Sequence, residues 1–300
     1  MPYQSQTMRI RALLVVAVLL ATGCGSQDSP GASGPRTVFG GDRPVTLQIP
    51  PAYDGTTPAP LLILLHGYGA SGGLEEVYLG LSELVASNHT FLAAPTGLID
   101  SKGHAFWNAT DACCNFDGNP VDDVAYLRGL IRDISHDYRI DPKRVYLWGH
   151  SNGAFMAHRM ACDDAPEIAA IVSLAGATWN DPTKCTPSAQ VSVLDIHGDS
   201  DDTIHYGGGE TAPGLVYPSE ATTMQRWQGY DACTPGLADD PTPIDIESAI
   251  LGPETTVSSF AGCPVSGVEL WTILGGTHIP NFQPDFRLRV WNWLQAHPRG

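Results

Sequence analysis

The stretch VYLWGHSNGAF, residues 145–155, decides how this chain is read. Four apolar residues, Val145, Tyr146, Leu147 and Trp148, run into Gly149-His150-Ser151-Asn152-Gly153, and Ala154-Phe155 resume the apolar pattern beyond. In a chain with 32 glycines the string G-x-S-x-G carries little weight alone, and its surroundings carry more. A serine on a tight turn between a buried strand and a helix projects its hydroxyl from the strand's carboxyl end, and flanking glycines let neighbouring backbone come close. Residues 144–148 read as the strand and 154–162 as the helix, which makes Ser151 a candidate nucleophile. The amide of Asn152, opening that helix, points to where negative charge develops on an attacked carbonyl.

The rest of the chain alternates strand and helix signals. Residues 45–49 alternate as a half-exposed strand, while 61–65 and 91–94 are solid apolar runs of the kind buried on both faces. Asp122 and Asp123 stand at a helix start, with Val124, Leu127, Leu130, Ile131 and Ile134 following at helical spacing. Residues 168–174, 191–196, 255–260 and 268–274 read as further strands. Ser219 caps a helix reaching Gln228, and Pro284 opens a last one. The polar segment 235–254 has no assignment. Helices crossing between buried strands imply an α/β architecture, a mainly parallel sheet with helices on both faces, in one domain over residues 36–300.

A serine hydroxyl attacks only when a base takes its proton, and the base needs an acid to orient it. Strand 191–196 leads into His197-Gly198-Asp199-Ser200-Asp201-Asp202, which offers three carboxylates. Strand 268–274 leads into Gly275-Gly276-Thr277-His278, which offers an imidazole. Both follow the serine in the order that a strand–loop arrangement of acid and base requires. A second oxyanion donor belongs after residues 61–65, where His66-Gly67-Tyr68-Gly69 follows and the Tyr68 amide is best placed. The side chains of His66, His150 and His197 read as hydrogen-bonding members of their turns. Trp107, in a polar and cysteine-rich loop, is the candidate for lining a substrate cleft.

These motifs together (G-H-S-N-G-A after D-P-K-R-V-Y, then H-G-D-S-D-D-T-I, then G-G-T-H) resemble the α/β-hydrolase family of poly(3-hydroxybutyrate) depolymerases and feruloyl or acetylxylan esterases. The likeness runs along the mature chain and includes F-W-N-A-T-D and V-D-D-V-A-Y-L. It implies the α/β-hydrolase fold, with Asp201 as the acid and His278 as the base beside Ser151. It also implies ester substrates, polymeric ones among them, and a reaction that needs no metal or organic cofactor. The family commonly carries cysteine or threonine where this chain has Tyr68, and a Trp-Pro pair where Ile279-Pro280 follows His278. Ile279 therefore joins Trp107 as a residue expected at the substrate cleft. A polyhydroxybutyrate depolymerase-like esterase is the first expectation and a feruloyl or acetylxylan esterase the second. A non-catalytic surface-binding lipoprotein on the same scaffold is the rival from another class.

Composition restricts the partners. With 16 basic and 32 acidic residues the net charge is −16, which repels phosphate backbones and argues against nucleic acid. Arg9 and Arg11 precede a short apolar run ending in Leu20-Ala21-Thr22-Gly23-Cys24, so residues 1–24 read as an export signal with a lipobox-like end. Cys24 is either lipidated, giving a membrane tether, or lost with the cleaved signal; residues 25–35 form a flexible tether by composition. Either route places the protein outside the cytoplasm of a bacterial cell. Six cysteines remain, an even number that reads as disulfides in an exported chain. Of the several pairings, Cys162–Cys185 and Cys233–Cys263 close modest loops. Cys113 and Cys114 are left over, and Cα atoms about 3.8 Å apart are too close for an unstrained bridge.

Overall fold

The computed structural model describes residues 35–300. The segment read as an export signal, Cys24 and nearly all of the tether lie outside the described residues. Residues 36–300 form one compact unit around an eight-stranded sheet. In chain order its strands are β1 (Ala59–Leu65), β2 (Phe91–Ala93), β3 (Ile140–His150), β4 (Ala170–Leu174), β5 (Ser192–Gly198), β6 (Leu237–Asp239), β7 (Thr255–Phe260) and β8 (Val268–Ile273). They lie in the order β6-β7-β8-β5-β4-β3-β1-β2. The run from β8 to β2 is parallel throughout, and β6 and β7 add an antiparallel edge. The expected mainly parallel α/β sheet is therefore the fold, and part of the unassigned segment 235–254 supplies its edge strand.

The sequence pattern explains why the sheet is buried twice. Along β1, Leu61, Ile63 and Leu65 enter one apolar layer while Leu62 and Leu64 enter the other, and all five are inaccessible to solvent. Along β3, Val145 and Leu147 face the first layer, and Tyr146 and Trp148 the second. Each such aliphatic side chain contributes roughly 1.5–3 kcal/mol on burial, which the uninterrupted apolar runs repeat strand after strand. Helices α3 (Asp123–Asp137), α4 (Asn152–Asp163) and α5 (Glu220–Tyr230) cover the first layer. Helices α1 (Gly72–Leu79), α2 (Ser82–Ser87) and α6 (Phe286–Ala296) cover the second.

Helix ends follow the expected chemistry. Asp122 caps α3 by accepting from the Ala125 amide, and the buried stripe is Val124, Leu127, Leu130, Ile131 and Ile134 as spaced in the sequence. Ser219 caps α5 by accepting from Thr222. Asp123 accepts from Arg43 Nη1 at 2.5 Å and from the Asn108 amide at 2.7 Å, and the Arg43 guanidinium lies 3.6 Å over the Tyr126 ring. Asp123 is wholly buried, so Arg43→Ala strands a charge and costs about 3 kcal/mol. Urea unfolding of the variant measures that loss as a lower midpoint at unchanged slope.

Disulfides join Cys162 to Cys185 and Cys233 to Cys263, with Cα separations of 5.0 and 3.9 Å. The first ties the end of α4 to the loop after β4; the second ties the end of α5 to the β7–β8 connection. Cys113 and Cys114 are also joined, their Cα atoms 3.0 Å apart across a cis peptide bond. The two cysteines left over in the sequence reading are thus the third pair.

Candidate active site

Ser151 stands between the end of β3 and the first turn of α4 with φ 53° and ψ −120°, a backbone region costly for a residue with a side chain. Two glycines make the turn feasible. A Cβ on Gly149 would lie 2.1 Å from the Gly153 carbonyl oxygen, and one on Gly153 would lie 2.0 Å from the Leu65 carbonyl oxygen. The turn thus presses directly on the end of β1, where the His66-Gly67-Tyr68 loop begins.

The later loops converge on the serine. His278, after β8, holds Nε2 2.9 Å from Ser151 Oγ, and its Nδ1 donates to Asp201 Oδ2 at 2.7 Å. Asp201, after β5, accepts from the Thr203 and Ile204 amides through Oδ1, each at 2.8 Å. Burial pushes its carboxyl up, but hydrogen bonds from His197 and His278 more than offset this and hold it well below the usual carboxylate range. Asp199 and Asp202 are exposed. The Asp199 carboxylate takes the Gly275 amide at 2.6 Å, tying the acid loop to the base loop.

The amides of Tyr68 and Asn152 have no protein acceptor among the described residues and border the same serine. Asn152 turns its side chain away, exchanging hydrogen bonds with the Trp107 backbone at 2.7 and 3.0 Å. His66 donates from Nδ1 to the Gly67 carbonyl at 2.7 Å and accepts the Gly97 amide at Nε2 at 3.0 Å. Burial lowers its affinity for a further proton, and the ring braces the Gly67-Tyr68 turn as a neutral group.

A cleft of about 330 Å³ opens over Ser151 and His278, bordered by Tyr68, Leu74, Tyr78 and Ile279. Ile279 is 60% exposed and lines it. Trp107 does not. Its side chain is fully buried, 5.2 Å from the His66 ring and 6.4 Å from Tyr126, because the backbone of its loop faces Asn152 and turns the indole inward. The Tyr68 hydroxyl bonds Asp100 at 2.5 Å and His104 at 3.0 Å, so this side chain forms a fixed wall.

Sequence reasoning overlooked Glu75. This buried α1 residue accepts the Gly67 amide at 3.2 Å and is hydrogen-bonded to His150 Nδ1 at 3.0 Å, while His150 Nε2 donates to the His278 carbonyl at 3.0 Å. One carboxylate therefore fastens the His66–Gly69 loop and the loop carrying His278 together. Tyr78 adds a bond to the Pro280 carbonyl, and Glu247 takes the Asn281 amide. The only local signal was Ser71, whose hydroxyl caps α1.

Comparison with known proteins places this arrangement. The phospholipase/carboxylesterase family model matches residues 53–219, more than half of the chain. The NocK protein of Nocardia uniformis subsp. tsuyamanensis is 30% identical over 228 residues, 73% of this chain and 64% of that protein. Feruloyl esterase B of Piromyces equi is 27% identical over 199 residues, 64% of this chain and 36% of that protein. The matched region thus spans less than two thirds of either relative. Among solved structures, acetyl xylan esterase from Aspergillus awamori superposes with a TM-score of 0.58 at 13% identity, covering 84% of this chain and 93% of that one, a likeness of fold. With a matching family model over a parallel sheet whose strand ends carry the serine turn, the chain belongs to the phospholipase/carboxylesterase family of α/β-hydrolases.

Proposed function

We propose that the protein is a serine esterase that hydrolyses carboxylic esters through Ser151, His278 and Asp201. The observation that carries this reading is the unbroken line from Ser151 Oγ to His278 Nε2 at 2.9 Å and from His278 Nδ1 to Asp201 at 2.7 Å, beneath an open cleft. Ser151 Oγ bonds to the ester carbonyl carbon as its proton passes to His278 Nε2. The Tyr68 and Asn152 amides take the oxyanion, which is the larger part of what such a site supplies. His278 then returns the proton to the departing alkoxide as the C–O bond breaks, leaving an acyl-serine. Water repeats the sequence from the other side and frees the acid.

For the substrate, a relative named as a feruloyl esterase supports the feruloyl-esterase reading, an ester of ferulic acid. The exposed Leu74 and Ile279 at the cleft mouth support a second reading, contact with an apolar polyester such as polyhydroxybutyrate. Export, with either release or a lipid tether at Cys24, is the proposed location; the disulfides support an oxidising compartment.

A fluorophosphonate probe labels Ser151 under this proposal, and a protein that resists labelling is instead a binding lipoprotein on a hydrolase scaffold. Methyl ferulate, acetylated xylan, p-nitrophenyl esters and a polyhydroxybutyrate suspension then separate the substrate readings. Turnover of the polyester alone sinks the feruloyl-esterase reading, and the reverse result sinks the polyester one.

A further inference from the structure

Behind Asp201 the site continues into the core as a series of ionisable side chains that ester hydrolysis, as described above, leaves unused. His197 near the end of β5 is almost wholly buried. Its Nε2 donates to the Ile204 carbonyl at 2.8 Å and lies 3.3 Å from Asp201 Oδ2, the same oxygen that takes the His278 proton. Its Nδ1 lies 3.0 Å from Oε2 of Glu220 on α5. The ring packs edge-on against Tyr206, whose hydroxyl is hydrogen-bonded to Thr272 of β8. Deeper still, His158 of α4 accepts the Trp227 indole N–H at Nδ1. It therefore presents its own Nε2–H to Ser173 of β4 at 3.0 Å and to Asp195 of β5 at 3.3 Å. Asp195 Oδ2 and Glu220 Oε1 are buried without a hydrogen-bond partner among the described residues.

Both nitrogens of His197 face oxygens. A carbonyl only accepts, so Nε2 carries a proton; a carboxylate opposite Nδ1 and another beside Nε2 favour a proton on Nδ1 too. Burial opposes that charge, but the bonds to Asp201 and Glu220 outweigh it and raise the ring to about 10. Burial also pushes the Glu220 carboxyl up, with Asp195 adding to the effect and His197 opposing it.

We infer that His197 is a positioning residue: pinned by Glu220, it sets a positive charge against the back of Asp201 and so limits how tightly His278 holds a second ring proton. The inference rests on the reading of Ser151, His278 and Asp201 as the reacting groups. Without that charge Asp201 acts on His278 as an uncompensated anion, while the other ionisable pair against His278, His150 with its ring 5.1 Å away and Glu75 bound to it, is left as it was. A doubly protonated His278 accepts nothing from Ser151, so on acidification activity is then lost sooner, at a higher pH than in the unaltered protein.

His197→Gln keeps an N–H for the Ile204 carbonyl and removes the charge. Its kcat/KM for p-nitrophenyl acetate, followed across neutral pH, shows the acid limb displaced upward by roughly 1 pH unit, the effect of one near charge, with the alkaline plateau kept within several-fold. A limb superimposable on that of the unaltered protein overturns the inference. A purely structural role lowers the plateau and leaves the limb in place, which overturns it equally. Should the variant not fold, nitrogen-15 histidine spectra of the unaltered protein decide: both His197 ring nitrogens are protonated at about pH 8, and a neutral-ring pattern overturns the inference. Failure of the underlying triad reading shows separately, as turnover retained by Ser151→Ala.

Discussion

Ser151→Ala is expected to lower kcat for a p-nitrophenyl ester by about 10⁵- to 10⁶-fold while the thermal midpoint stays close to that of the parent. The loss is large because the acyl intermediate needs this oxygen, and His278 Nε2 is hydrogen-bonded to no other hydroxyl among the described residues. What survives is the stabilisation of the oxyanion by the two amides, which acts on a water-attacked ester as well. Stability is spared because the side chain makes one hydrogen bond, to His278, and the strained turn is imposed by its neighbours. Steady-state kinetics with circular dichroism as the folding control measure both; turnover within tenfold of the parent sinks the nucleophile assignment.

The second large effect separates three aspartates within four residues. Asp201→Asn is expected to reduce kcat by about 10⁴-fold, because an amide facing His278 Nδ1 no longer fixes the tautomer that leaves Nε2 free to accept. Asp199→Asn and Asp202→Asn leave kcat within a few-fold, the range of surface substitutions. Asp199→Asn retains the oxygen that takes the Gly275 amide, and Asp202 is solvent-exposed. Equal losses in all three variants refute Asp201 as the orienting acid.

What the sequence reveals here is whatever a local pattern encodes. The serine turn, the acid loop and the base loop each follow a buried strand, and a strand's apolar run is visible over a few residues. Ser219 and Asp122 are visible as caps for the same reason. Choosing Asp201 among its neighbours needed family likeness, since all three carboxylates share one loop and only tertiary packing buries one. Glu75 and Glu220 stand in the first turns of capped helices, which marks the helices but not what the carboxylates bind. Their partners are His150 and His197, 75 and 23 residues away, so their roles exist only after the chain has folded. Trp107 misled because a polar loop suggested an exposed side chain, whereas its backbone pairing with Asn152 turns the indole inward. The short α1 went unassigned because it opens with Gly72-Gly73, weak helix formers held by Ser71 and by docking against the sheet.

The closeness of Gly153 to the Leu65 carbonyl oxygen has a bearing on how such a protein diversifies. The spacing of the Tyr68 and Asn152 amides is set where one main chain abuts another, and the Asn152 side chain helps to hold it through the Trp107 backbone. Tyr68, Leu74 and Ile279 can therefore be exchanged one at a time, reshaping what the cleft admits, while the reacting atoms keep their spacing. A lineage built on this turn inherits its chemistry through two glycines and is free to change its diet by point mutation.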